Sequence, residues 1–182
     1  MALQGDASKA EAALTQLEIA SNLKGSASHV TANMGAAYMI QMEYDQAYGA
    51  LSDASTNDNT VNAKVNSMKG ALETKNADYE AAKTSFGAAQ KDGKSNINKG
   101  LAYLLTKDYT QANNAFDAAK KDEGAAALAY YLSAVTAARQ GDAALVQSNL
   151  AESVKANADM KQMALNDLEF RNFADQVAAA VR

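Results

Sequence analysis

Five times along this chain a quartet of small and bulky apolar residues stands at offsets 0, +3, +7 and +10. It reads Ala7/Ala10/Leu14/Leu17, Tyr44/Ala47/Leu51/Ala54, Tyr79/Ala82/Phe86/Ala89, Tyr109/Ala112/Phe116/Ala119 and Ala143/Val146/Leu150/Ser153. At 3.6 residues per turn those offsets fall on one stripe of an α-helix. Polar positions fill the intervals, so each quartet predicts an amphipathic helix with a narrow, Ala-rich seam. The quartets open at residues 7, 44, 79, 109 and 143, a spacing of 30–37 residues that marks a helical repeat array.

An acidic residue precedes every quartet: Asp6, Glu43, Asp78, Asp108 and Asp142. A carboxylate there caps free N–H groups and suits the positive end of the helix dipole. Each quartet helix, the second of its unit, is therefore expected to begin at that acid. Gly5 and Gly141, directly before two of the acids, read as the glycines that end the preceding helix. Nine residues before each quartet-opening Tyr stands Gly35, Gly70 or Gly100, and Ala134 fills that place in the last full unit. A glycine inside a helix costs about 1 kcal/mol relative to Ala. Its return at one phase predicts a notch in the first helix of each unit, crossed closely by the second.

This register resembles the tetratricopeptide repeat. Gly100, Tyr103, Tyr109, Ala112, Phe116 and Ala119 match the family pattern best, followed by Gly35, Tyr38, Tyr44, Ala47, Leu51 and Ala54. The resemblance covers residues 5–158; the chain lacks the family's signature Trp and Pro, and Glu73 stands where a Tyr is expected. It implies an all-α fold, a right-handed α–α superhelix of antiparallel helix pairs. Residues 1–158 would hold about four repeats, the first incomplete. Residues 159–182 would form capping helices, with Met160, Met163, Ala164 and Leu168 on one inward stripe and Phe170, Phe173, Val177 and Val181 on another. Only four residues precede Gly5-Asp6, so the chain reads as a piece of a longer bacterial repeat protein with an uncovered N-terminal helix.

Composition narrows the function classes. There is no Pro and no Trp, which fits continuous helices joined by Gly, Asn and Asp turns. The net charge is −4 with Lys and Arg scattered, which disfavours nucleic acid. Cysteine is absent and His29 is the single histidine, so thiolate metal sites, thiol nucleophiles and catalytic triads are not expected. Asp53–Asn59 alternates oxygen ligands, but it lacks the Gly and closing Glu of a calcium loop and reads as an Asn-rich turn. No Gly-rich phosphate loop appears. Residues 124–138 are too short an apolar run to cross a bilayer. Neither enzymatic activity nor a cofactor is expected. The missing cysteine and the short start lean toward the periplasm or cell envelope, and are compatible with the cytoplasm.

What remains is the face that ligands use in the family. The resemblance places on it Ala36, Met39, Ile40 and Lys75, then Ile97, Leu101 and Leu104 with Leu105 beside them, and finally Tyr131, Val135 and Arg139 with Leu128 one turn before. The Lys and Asn with which some family members clamp a peptide carboxylate are replaced by apolar or small residues. The expectation is a non-catalytic scaffold that binds an apolar peptide or helix in a concave groove. A groove filled by the chain itself is the competing reading of the same residues. A structural spacer, or a self-association module acting through the N-terminal end of a larger envelope or secretion protein, is the alternative function.

Overall fold

The computed structural model describes residues 6–23, 28–54, 58–89 and 91–182. Among them there is no strand; every regular element is helical. The chain divides into two compact units, residues 1–90 and 91–182. The first holds α1 (Ala7–Ser21), α2 (Ser28–Ile40), α3 (Tyr44–Asp53), α4 (Asn59–Lys75) and α5 (Tyr79–Gly87). The second holds α6 (Gly93–Leu105), α7 (Tyr109–Ala119), α8 (Glu123–Gln140), α9 (Ala143–Ala156), α10 (Met160–Asn166), a 3₁₀ turn (Leu168–Phe170) and α11 (Ala174–Ala180). Consecutive helices pack on one another: α1 on α2, α2 on α3 and α4 on α5 in the first unit, α6 on α7 and α8 on α9 in the second.

The quartet helices begin where the acids stand. Asp6 accepts from the N–H groups of Ser8 and Lys9, Asp78 from Ala81, Asp108 from Gln111 and Asp142 from Leu145. Glu43 makes no such bond, and α3 starts without a side-chain cap. Within the quartets the inner positions are buried: Ala10 and Leu14, Ala47 and Leu51, Ala82 and Phe86, Ala112 and Phe116, Val146 and Leu150. The opening Tyr44, Tyr79 and Tyr109 are half-buried.

The notch is where the pairs lock. A Cβ on Gly35 would lie 2.5 Å from Leu51 Cγ, one on Gly70 2.7 Å from Phe86 Cε1, and one on Gly100 2.3 Å from Phe116 Cε1. The bulky partner is sixteen residues downstream each time, and the same interval joins Ala134 to Leu150, both fully buried. Small residue against large, once per pair, lets the backbones approach closely without a void.

The turns inside the pairs repeat as well. Met42, Ala77, Lys107 and Gly141, each directly before the acidic cap, have φ of 63°, 61°, 62° and 79°. Behind each, the acid's N–H reaches back to the carbonyl of Tyr38, Glu73, Tyr103 or Ala137 at 2.9 Å. The left-handed residue's own N–H reaches Met39, Thr74, Leu104 or Ala138. This is the Schellman ending of a helix, which favours glycine at the left-handed position. Only the last of the four has it. Gly5 lies outside the described residues, as do residues 55–57 of the Asn-rich turn.

Residues from Asp159 onward belong to the second unit. The first helix past Met160 stops at Asn166, because Asp167 turns to an extended conformation and caps Glu169 N–H. Of the two expected stripes, Phe170, Val177 and Val181 are buried and join the core of α6–α9. Met163 and Leu168 instead face solvent, Leu168 being 78% exposed. The tight turn carries Leu168 to the outside while its neighbours reach inward.

Candidate partner-binding face

In the first unit the register residues lie on α2 and α4. Ala36, Met39 and Ile40 are half-buried. Met39 packs against the cluster of Leu51, Val61 and Val65, and Ile40 against that of Ala10 and Leu14. Lys75 is exposed at the end of α4, with its Nζ 4.4 Å from the centroid of the Tyr44 ring. Such a cation–π contact lends about 0.5–1 kcal/mol at an exposed site.

In the second unit the residues of α6 and α8 come together in one cluster, and most of them are covered. Ile97, Leu104, Tyr131 and Val135 are buried, and Leu101 is half-buried against them. Leu105 and Leu128, which the register puts on the same face, are 42% and 38% exposed. The large apolar register residues of this unit that reach solvent are therefore Leu101 and Leu105 on α6 with Leu128 on α8; Leu145, Met163, Leu165 and Leu168, outside the register, are exposed as well. Leu104 is interior packing.

The α8 stripe Tyr131–Val135–Arg139 meets the C-terminal segment. The Tyr131 hydroxyl donates to the Asp167 carboxylate. The Phe170 ring stands edge-on to the Tyr131 ring, centroids 5.6 Å apart at 88°. The Arg139 guanidinium makes a two-pronged contact with Glu169, Nη2 to Oε1 at 2.6 Å and Nε to Oε2 at 3.1 Å. Burial, reinforced by the Asp167 hydrogen bond, pushes the Tyr131 phenol well above its ordinary value. The hydrogen bonds to Glu169 likewise raise the Arg139 guanidinium, so it carries its charge throughout the working range. Asp167, Glu169 and Phe170 are absent from the register-derived set. Their sequence signal is a carboxylate, a second carboxylate two residues on, and an aromatic next to it.

Outside this face the chemistry is sparse. His29 is exposed and lies 3.5 Å from Asp58. Among the described residues no three His, Cys, Asp or Glu side chains converge to hold a metal ion, and no helix is long and apolar enough to cross a membrane. One buried polar atom stands out: Glu73 Oε2 has no hydrogen-bond partner, while Oε1 accepts from Tyr48 at 3.2 Å.

No family model matches the chain, and no curated protein matches it.

Proposed function

We propose that the helix pairs form a right-handed superhelix of the tetratricopeptide-repeat kind, which acts as a non-catalytic scaffold for a protein partner. The partner's apolar segment lies along the first helices of the pairs. The observation that carries this reading is the partly open apolar set at ligand-facing register positions, Leu101 and Leu105 on α6 with Leu128 on α8. Grouped apolar exposure of that kind on a helical array marks a contact surface. Ala36 and Ile40 are the corresponding residues of the first unit.

The test is comparative capture from native lysate by the wild type and by a Leu101→Glu/Leu105→Glu variant of unchanged helicity. Leu105 is exposed and Leu101 is half-buried against the core, so circular dichroism of the variant is matched to the wild type before capture. Partners retained by the wild type and lost by the variant support the scaffold. Equal retention by both rejects this face.

Self-association is the second reading, and it has its own observation. Ile19 and Leu23, at the end of α1, are 56% and 65% exposed. Sedimentation that grows with concentration, and is abolished by Ile19→Glu/Leu23→Glu, would favour it over the scaffold.

A further inference from the structure

The partner face of the second unit carries an occupant supplied by the chain. Residues 167–170, Asp-Leu-Glu-Phe, lie against the α8 stripe and contact it in three different ways: a hydrogen bond to Tyr131, an aromatic edge on the same ring, and the ion pair with Arg139. Phe170 itself is buried in the core, and that packing does not call for the two polar contacts beside it. In the same segment α11 is held through Val177 and Val181, apolar side chains buried in the core. An ion pair and a carboxylate–phenol bond add little net stability compared with apolar contact, but they read the chemistry of what is bound.

The turn is anchored by the buried Phe170, while its other side chains lie nearer solvent. Leu168 points to solvent. The Arg139 and Glu169 side chains are 33% and 35% exposed. A cleft of about 160 Å³ lies behind the turn, lined by Ala164, Phe170 and Val177 among others. A pair at that exposure contributes little, so its exchange for an equivalent pair is nearly neutral.

We propose that the Asp167–Phe170 turn is a built-in occupant of the α8 face, and that the ligand this face selects is a partner-protein segment of the same chemistry. That segment bears a carboxylate, a second carboxylate two residues on, and an aromatic ring next to it. Tyr131 reads the first carboxylate, Arg139 the second, and the Tyr131 ring the aromatic. The turn then competes with the partner and sets a threshold for its binding. This inference rests on the scaffold reading above and adds, beside the partner's apolar segment, an acidic and aromatic one.

The probe is a fluorescent peptide with the sequence of residues 166–173, Asn-Asp-Leu-Glu-Phe-Arg-Asn-Phe. It is titrated by anisotropy into the full chain, into an Asp167→Ala/Glu169→Ala/Phe170→Ala variant, and into that variant carrying Arg139→Glu. The emptied face is expected to bind saturably and about tenfold more tightly than the wild type, with about tenfold lost again on Arg139→Glu, each step equal to 1.4 kcal/mol. A folded emptied variant that binds no peptide, or binds it regardless of Arg139→Glu, overturns the proposal. So does concentration-dependent dimerisation that Arg139→Glu abolishes, which would make a second copy the occupant.

Hydrogen exchange on the wild type keeps the test open should the triple variant fail to fold. Amides of residues 167–173 are expected to exchange at least about tenfold faster than those of α8 and α9 through local opening. Exchange of the turn only with global unfolding would make it a permanent part of the core and overturn the competition. Partner capture that depends on Leu101 and Leu105 but is unchanged by emptying the turn would leave the scaffold standing and remove this inference alone.

Discussion

Replacing Gly100 by Ala tests whether the helix pairs are held by a notch or merely tolerate a glycine. On helix propensity alone the change stabilises by about 1 kcal/mol, because Gly100 lies within α6. Packing opposes it. The new methyl carbon would meet Phe116 Cε1 at 2.3 Å, Cδ1 at 2.6 Å and Cζ at 2.8 Å. Carbon atoms in contact settle at about 3.5–4.0 Å, so the ring or the helix has to move by more than about 1 Å. Phe116 is fully buried and has no solvent side to swing toward. Overpacking of a well-filled core costs about 1–3 kcal/mol, and three ring atoms in collision put this case near the upper end. The net expectation is a loss of about 2 kcal/mol.

Gly49→Ala is the matched control, since Gly49 sits inside α3 with nothing within 4 Å of its missing Cβ. It should gain about 1 kcal/mol. One chemical change therefore carries opposite signs at two helical sites. The assay is urea unfolding followed by far-ultraviolet circular dichroism, read as midpoints at constant slope. A cycle with Phe116→Leu isolates the contact: in that background Gly100→Ala should recover about 1–2 kcal/mol of its cost. Ala134 opposite Leu150 already pairs those two residue types at the same spacing. A Gly100→Ala midpoint as high as that of Gly49→Ala, or strict additivity in the cycle, would refute the notch.

Three further expectations follow from the turns, the orphaned carboxylate and the α8 clasp. Ala77→Gly, at the left-handed turn position with φ of 61°, should raise stability by about 1 kcal/mol, and Gly141→Ala should lower it by a similar amount, both read from urea midpoints. Glu73→Met keeps the side-chain length and removes the unpaired buried oxygen, leaving the partly exposed Tyr48 hydroxyl to water. A gain of about 1–2 kcal/mol is expected, and a lowered melting temperature would contradict it. The Tyr131 phenol is raised in the folded state, so its contribution is complete below the unfolded value near 10 and is lost as pH rises above it. Stability should therefore fall above pH 10 with a limiting slope of about 1.4 kcal/mol per pH unit from this group, and Tyr131→Phe should flatten that slope.

What could be read along the chain was whatever one helix or one helix pair determines. The quartets, their acidic caps and the Gly100–Phe116 kind of contact sit within about twenty residues of one another, so residue type and phase express them directly. The left-handed turns were legible at Gly141 alone, where the residue advertises its conformation. Met42, Ala77 and Lys107 adopt it because the repeat fixes both helix ends and gives the residue between them no other path. Their own preferences argue against it. Leu104 shows a second kind of miss. Its register on α6 matches that of a ligand-facing residue, yet burial depends on which helix lies above, and α8 and its neighbours close over it. The α8 stripe is the furthest from local reading. Tyr131 and Arg139 are fixed on one face by helical phase, but their partners stand 36 and 30 residues downstream, across two chain reversals. Asp167 and Glu169 alternate with exposed positions and look like ordinary solvated charges until the turn at Asp167 aims them at α8. A charge in a repeat array is thus assigned by the element that returns to it: helical phase sets the face on which Arg139 stands, and the chain reversal at Asp167 sets what it meets.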